Sequence, residues 1–496
     1  MTRKGLPKDY IVKDFYVLDT KFGDVAIVQD RRTGKLTYVA IEPPLTEEEE
    51  EALKEIKKLI VELVDVELIE MSKEEVREYI EKKVEEVVKK YKIQVAPEAL
   101  DKMKYYVVRD MLGYGKIEVP MRDRNIEDIS CDGARTPVYV WHRVYESLPT
   151  NIEFEDEEEL RSFITKLAYR AKRQISIASP IVDGILPEGY RVHMTLGEVS
   201  RRGGTFTIRK FREEPYTVVD LVIFNTISPM MAAYFWILLE YGKSLMVLGA
   251  TAAGKTTCLN AVAMLIRPEA KIVTIEETPE LRLPHENWAP LVTRPSRTAA
   301  AEDVTLFDLL KASLRMRPDY IIVGEIRGEE AYTLFQAIAT GHSGLSTMHA
   351  ENVDYAIKRL SLPPMDIPKP LIPVMNAFAH IARVKIGERV QRRVVAVYEM
   401  LEYDRSTDEM VMHKVFEWDP TSDSHVYAGT SRLFERISEE RFVGLGKLEE
   451  ELKRRERLIS LLARRGQRSF EQVSRVVRNY YFNPEATYRL VEAGGI

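Results

Sequence analysis

A glycine-rich segment that runs into Lys255 and Thr256 is the part of this sequence best suited to bind phosphate. It reads GATAAGKTT over residues 249–257 and matches the P-loop pattern. Backbone N–H groups of such a loop surround a β-phosphate, its lysine reaches the β- and γ-oxygens, and its hydroxyl binds Mg²⁺. We therefore predict that ATP and Mg²⁺ bind here, with Thr256 as the metal ligand. The residues of the predicted loop are Gly249, Ala250, Thr251, Ala252, Ala253, Gly254, Lys255, Thr256 and Thr257.

The segments on either side supply the frame that a phosphate-binding loop needs. SLMVL (244–248) has the composition of a buried strand, and TCLNAVAMLI (257–266) that of a helix ending before Pro268. The N-terminus of that helix adds its positive dipole to the loop. Strand, loop and helix in this order make a chance match to the pattern rare.

Acidic residues follow two further apolar runs, each of which has the composition of a buried strand. Glu325 comes shortly after residues 320–323, and Glu276 with Glu277 ends the segment AKIVTIEE. Ligands bind at the carboxyl ends of strands in open parallel sheets, so these side chains are candidates to hold Mg²⁺-bound water or to orient an attacking water. The alternative for Glu325 is a solvated strand end. Of the two neighbouring glutamates, Glu276 is the favoured candidate.

Two histidines flank the next predicted strand, GLSTMHA. His342 precedes it and His349 lies near its end. A single histidine in such a place is more often structural, but the pair follows the acidic strand within one predicted βαβ unit. A role as γ-phosphate sensors is therefore the favoured interpretation. Metal binding by the histidines is disfavoured because the surrounding sequence offers no further close ligands.

Composition narrows the possible classes of protein. Of 496 residues, 45% are hydrophobic, which excludes wholesale disorder, and two cysteines exclude a disulfide framework or a four-cysteine zinc site. Basic and acidic residues number 72 and 78, so the net charge of −6 disfavours a protein that coats nucleic acid. The longest apolar run, residues 230–239, is about half a membrane span. We expect a cytoplasmic chain with no membrane crossing.

Length and local patterning predict several domains. Alternating strands give way to helical periodicity, then to mixed strands and helices, and from residue 230 helices alternate with apolar strands. That last pattern is typical of an α/β fold with a parallel sheet. The predicted divisions are an N-terminal cap and helical region (1–99), an α+β domain (100–212), a linker (213–229), an α/β core (230–429) and a helical C-terminal region (430–496).

The motifs in their order resemble those of the secretion and type IV pilus assembly ATPase superfamily, most of all its archaeal branch, which includes archaellum motor ATPases. The resemblance rests on the P-loop, IEETPEL, VGEIRGEEA and GHSGLSTMHA, with GYGKIEVPMRDRNIEDISCDG upstream, and covers roughly residues 100–402. It implies a RecA-like P-loop core preceded by a nucleotide-gating domain. It also implies a catalytic set in which Glu276–Glu277 form the acidic box, Glu325 the Walker B acid, and His342 and His349 the histidine box.

Further expectations come from the resemblance alone. It implies a hexameric ring in which upstream arginines reach the phosphates, and the matching positions are Arg191 in GYRVH and Arg209 in FTIRKF. A planar, permanently charged guanidinium suits that task. This acidic box has two glutamates where the family has Glu-Asp, and the Walker B segment offers one acid. Whether Glu325 or Glu276 is the general base therefore stays open.

The favoured function is a Mg²⁺-dependent hexameric ATPase that powers assembly of a pilus, an archaellum or a secretion apparatus. It implies a location at the cytoplasmic face of the membrane, with a polytopic platform protein as partner and no direct contact with nucleic acid. One alternative is a hexameric nucleic-acid motor, which shares the core but is disfavoured by the balanced charge. Another is a scaffold that uses nucleotide only as a switch, which the acids at both strand ends disfavour.

Overall fold

A computed structural model describes residues 10–18, 23–63, 72–212, 214–294, 302–387 and 389–494. The chain divides into two compact units, residues 1–212 and 213–496. Within the described residues, each unit contains a nine-stranded sheet. The protein is thus of mixed α/β architecture with two large sheets. Among the same residues, we find no helix whose length and apolar character would suffice to cross a membrane.

The first unit combines a three-stranded meander, three long helices and a mixed region. Its elements are β1 (Tyr10–Val17), β2 (Asp24–Asp30), β3 (Leu36–Ile41), α1 (Glu47–Leu63), α2 (Lys73–Tyr91), α3 (Pro97–Met111), α4 (Glu118–Arg122), β4 (Ile126–Cys131), β5 (Pro137–His142), β6 (Glu146–Glu153), α5 (Glu157–Arg170), β7 (Ile181–Ile185), β8 (Arg191–Thr195) and β9 (Thr205–Arg209). The strands lie in the order β1-β2-β3-β6-β5-β4-β9-β8-β7. Neighbouring strands are antiparallel except β3 and β6.

Local sequence signals explain where the first long helices begin. Thr46 and Glu49 exchange side-chain-to-backbone hydrogen bonds before α1, and Ser72 with Glu75 forms the same capping box before α2. The apolar faces of α1, α2 and α3 form a core of their own, while α5 packs on the sheet through residues such as Ile164. Two cores therefore stabilise this unit.

Among its described residues, the second unit has two α-helices before its sheet and four after it. Its elements are α6 (Val218–Ile223), α7 (Pro229–Glu240), β10 (Leu245–Gly249), α8 (Lys255–Ala263), β11 (Ile272–Glu276), β12 (Trp288–Val292), α9 (Leu306–Leu314), β13 (Tyr320–Val323), α10 (Glu330–Ala339), β14 (Ser343–His349), α11 (Val353–Ser361), β15 (Ala377–Ile386), β16 (Arg389–Asp404), β17 (Glu409–Asp419), β18 (Ser424–Tyr427), α12 (Arg432–Arg441), α13 (Leu445–Arg464), α14 (Phe470–Phe482) and α15 (Pro484–Ala493). The strand order is β12-β11-β13-β14-β10-β15-β16-β17-β18.

A parallel sheet forms the centre of this unit, with cores on both faces. Pairing is parallel from β12 through β15. Alternate residues of β10 enter different cores: Leu245 and Val247 belong to one, and Met246 and Leu248 to the other. A strand covered on both faces reads as a continuous apolar run, which is why SLMVL shows no alternation. The parallel sheet places the ends of β10, β11, β13 and β14 at one edge.

The structure differs from the sequence expectations at two places. The segment 213–229, predicted as a linker, contains α6, whose Thr217–Asp220 capping box and buried Val218, Val219 and Leu221 fix it to the core of the second unit. The sheet also continues beyond its parallel part through β16, β17 and β18, which are antiparallel.

Candidate nucleotide-binding site

The loop of residues 249–254, which we call the P-loop after its sequence pattern, connects β10 to α8. A Cβ atom on Gly249 would overlap the carbonyl oxygen of Ile381 on the neighbouring β15, so only glycine fits there. Ala252 and Gly254 both have positive φ angles, of 59° and 94°, and Gly254 precedes the first helical residue, Lys255. The loop therefore turns tightly and directs the N-terminus of α8 towards the sheet edge.

Lys255, His349 and Glu325 meet at this edge. The ammonium group of Lys255 donates to the carbonyl of Ala250 at 3.1 Å and lies 3.1 Å from His349 Nδ1, so the imidazole accepts from it and is neutral. His349 Nε2 lies 3.1 Å from Glu325 Oε1. Burial lowers the pKa of His349, with the charge of Glu325 acting in the opposite direction. Burial also lowers the pKa of Lys255.

Arg327 links the two acidic segments that the sequence singled out. Its guanidinium donates to Glu325 Oε2 at 2.7 Å and lies 3.7 Å from Glu277 Oε2. The hydrogen bond to Glu325 raises the pKa of Arg327. With one carboxylate oxygen held by Arg327, Glu325 directs Oε1 towards His349. That oxygen is buried and close to His349 Nε2, but no group among the described residues has hydrogen-bond geometry to it.

Glu276 differs from its neighbour Glu277 in burial. Glu276 is 4% exposed, and its Oε1 accepts the backbone N–H groups of Glu280 and Leu281 at 3.0 and 3.1 Å, whereas Glu277 is exposed. Burial raises the pKa of Glu276 to about 7, although the two hydrogen bonds lower it. Gly324, the residue before Glu325, lies against the side chain of Glu276, since a Cβ on Gly324 would be 3.1 Å from Glu276 Cγ. The hydrogen bonds that Glu276 accepts thus hold the loop that follows it.

Strand order ranks the two acids by distance from the P-loop. From β10 outward come β14, β13 and β11. Glu325 therefore follows a strand two positions from β10, and Glu276 ends a strand three positions away. At about 4.8 Å per strand, the strand before Glu325 lies roughly 10 Å from β10, and the strand that ends in Glu276 lies roughly 14 Å from it. Of the two carboxylates, Glu325 lies closer to the loop.

The structure does not bring His342 to this edge. His342 precedes β14 and His349 ends it, so a whole strand, roughly 20 Å long, separates them. His342 Nδ1 instead lies 3.1 Å from the carbonyl of Ala337 at the end of α10. Within one copy of the second unit, only His349 of this pair is near Lys255.

Arg191 and Arg209 lie in the first unit, directly opposite each other on β8 and β9. Both side chains are exposed, and Arg209 Nε donates to Asp128 Oδ1 at 2.9 Å. Like charges on facing residues of a sheet repel, and Asp128 offsets part of that repulsion. The two guanidinium groups thus share one open face of the first sheet.

Sequence reasoning missed two arginines that contact the cluster. Arg327 follows Glu325 by two residues in the same acidic motif, and that proximity was a usable signal. Arg359 on α11 donates to the carbonyl of His349 at 2.5 Å and so fixes the end of β14. Arg359 is distant in sequence from the other site residues, so the sequence offered no comparable signal for it.

This chain is similar to several known proteins. A family model described as "Type II/IV secretion system protein" matches residues 119–450. The uncharacterized protein MJ0900 of Methanocaldococcus jannaschii is 39% identical over 473 residues, which cover 90% of this chain and 85% of that protein. The type IV secretion system protein PtlH of Bordetella pertussis is 30% identical over 274 residues, covering 49% of this chain and 81% of PtlH. The solved ATPase DotB of Legionella pneumophila aligns over 75% of this chain and 92% of its own at 17% identity, with a TM-score of 0.41.

Proposed function

Because this chain belongs to the type II/IV secretion system protein family, we propose that it is a Mg²⁺-dependent ATPase that powers a secretion or pilus-type assembly. The observation that carries the proposal is the meeting of Lys255, His349 and Glu325 beside the P-loop. Each group has the chemistry that phosphoryl transfer to water requires: a cation for the phosphates, a neutral imidazole and a carboxylate.

We assign the steps to residues by their positions. Lys255 exchanges its contacts with Ala250 and His349 for the β- and γ-oxygens when nucleotide binds. His349, released from Lys255, then donates to the γ-phosphate and reports its presence. Glu325 orients the attacking water through Oε1, the buried oxygen that lacks a hydrogen-bond partner among the described residues. Its other oxygen stays bound to Arg327.

The donor set suits Mg²⁺ bound together with nucleotide. Among the described residues, no group of three or more His, Cys, Asp or Glu side chains could hold a metal ion without further ligands. Mg²⁺ is commonly held by one or two protein oxygens and by substrate phosphates, which fits Thr256 in the first turn of α8 with Glu325 nearby. Bound there, the ion would neutralise charge that develops on the phosphate oxygens.

The finer parts of the proposal concern assembly. We propose a homohexamer at the cytoplasmic face of the membrane that docks on a polytopic platform protein, in a pilus, an archaellum or a secretion apparatus. That Arg191 and Arg209 meet the phosphates, and that His342 takes part, stay predictions. Solution mass with and without a non-hydrolysable ATP analogue tests the ring, and a monomer under both conditions would contradict it.

Hydrolysis tests the site directly. We expect Lys255→Ala to abolish ATP binding and Glu325→Gln to lower kcat by roughly 100-fold or more while leaving binding intact, because orienting groups act mainly in the transition state. Glu449→Gln, an exposed carboxylate on α13, is the control and should hydrolyse ATP at the wild-type rate. Wild-type rates in both site variants would show that the assignment is wrong.

A further inference from the structure

The hairpin formed by β15 and β16 continues past the P-loop. β15 pairs with β10 from Ala377 to His380, and β10 ends one residue later, at Gly249. β15 then runs on from Ile381 to Ile386, paired only with β16. The two arms therefore extend beyond the sheet edge at which Lys255 lies.

The face of this hairpin that looks towards the P-loop carries arginines. Ile381 packs on the loop, since its Cγ2 would be 3.2 Å from a Cβ on Gly249 and its Cδ1 3.8 Å from one on Gly254. Side chains two residues apart on a strand share a face, so Arg383 lies on the same face as Ile381, about 7 Å further out. Arg392 is directly opposite Arg383 on β16. Both arginines are exposed.

Strand order sets the direction in which a bound nucleotide lies. His349 and Glu325, the groups assigned to the γ-phosphate, are on the β14 and β13 side of the P-loop. β15 is on the opposite side of β10. A triphosphate whose γ-end faces Glu325 therefore directs its ribose and base towards the hairpin.

Arg383 and Arg392 face each other across the hairpin, so both guanidinium groups can approach one ligand. Guanidinium groups stack on flat, electron-rich aromatic and nucleobase faces. Resting on the proposed function, we infer that Arg383 and Arg392 form the subsite for the nucleoside end of the nucleotide, with a guanidinium plane against the base. Stacking of this kind does not read base identity, so the subsite adds affinity without strong base selection.

Binding of ADP and of inorganic tripolyphosphate to the full chain separates this subsite from the P-loop. Tripolyphosphate has no nucleoside and occupies only the phosphate positions. We expect the double variant Arg383→Lys/Arg392→Lys, which keeps both charges but removes the planar guanidinium groups, to weaken ADP binding about ten-fold, in line with one lost stacking contact. Its affinity for tripolyphosphate should stay within about two-fold, because the charge of the hairpin is unchanged.

The control is Arg475→Lys, which makes the same type of substitution at one exposed arginine on α14. It should change neither affinity. Unchanged ADP binding in the double variant would overturn the inference, and so would an equal loss for ADP and tripolyphosphate, which would indicate a general effect of charge or folding. If the wild-type chain binds neither compound, the proposed function itself fails. If the wild-type chain binds both compounds and the double variant binds ADP equally well, only the proposed subsite is refuted.

Discussion

Replacing Glu276 by glutamine should stabilise the second unit at alkaline pH. The carboxyl is buried and its pKa is raised from 4.5 to about 7, chiefly by burial. An acid whose pKa is higher in the folded state is held more tightly as the neutral form there. The stability contributed by this carboxyl is therefore greatest below pH 4.5 and is lost as the pH rises to about 7, because the unfolded chain loses this proton first. Glutamine, which does not ionise, removes that fall.

The size of the effect follows from the two pKa values. A tenfold change in an equilibrium constant is 1.36 kcal/mol, so the difference between 4.5 and about 7 corresponds to ~3 kcal/mol of unfolding free energy at pH 8. The hydrogen bonds from Glu280 and Leu281 already lower this pKa, so the shift to about 7 includes their preference for the carboxylate. We expect a gain of ~3 kcal/mol at pH 8 and almost none at pH 4.5.

Thermal unfolding followed by calorimetry at pH 4.5, 6 and 8 measures the difference, with nucleotide absent so that binding does not add stability. Glu277→Gln is the matched control, since the same change is made one residue away on an exposed side chain. It should leave the pH dependence as in the wild type. If Glu276→Gln shows the same loss of stability with pH as the wild type, or if the two variants behave alike, the reasoning from burial is wrong.

Three further substitutions test other parts of the structure. Gly249→Ala should abolish ATP binding, because its Cβ overlaps the carbonyl of Ile381; a dissociation constant within about twofold of wild type would contradict this. Asp123→Asn should destabilise the first unit by about 1–3 kcal/mol in urea unfolding. One carboxylate oxygen accepts the hydroxyls of half-buried Tyr16 and buried Tyr38 and the other accepts a backbone N–H, whereas an amide offers one acceptor oxygen; an unchanged midpoint would refute it. Glu399→Gln should increase hydrogen exchange in α12. One carboxylate oxygen accepts hydrogen bonds from α7 and from the start of α12, and the other accepts a backbone N–H at the start of α12. Exchange equal to wild type would argue against this role.

Local features of the chain were predictable because short-range geometry decides them. The capping box of Ser72 depends on residues three apart, and the P-loop on nine consecutive residues. The mixed α/β architecture also followed from the alternation of helices and apolar strands. The segment 213–229 was harder to predict, because α6 is short and is held by burial against helices distant in sequence.

The sequence by itself determined which residues can do phosphate chemistry and in what order they occur. Only the tertiary structure decided which of them meet. Insertion of β14 between β10 and β13 brings His349 between Lys255 and Glu325, and the direction of β14 places His342 at its other end. Strand order is set by packing of both sheet faces over long sequence distances, which no local pattern encodes. The same pairing puts the β15–β16 hairpin beside the P-loop.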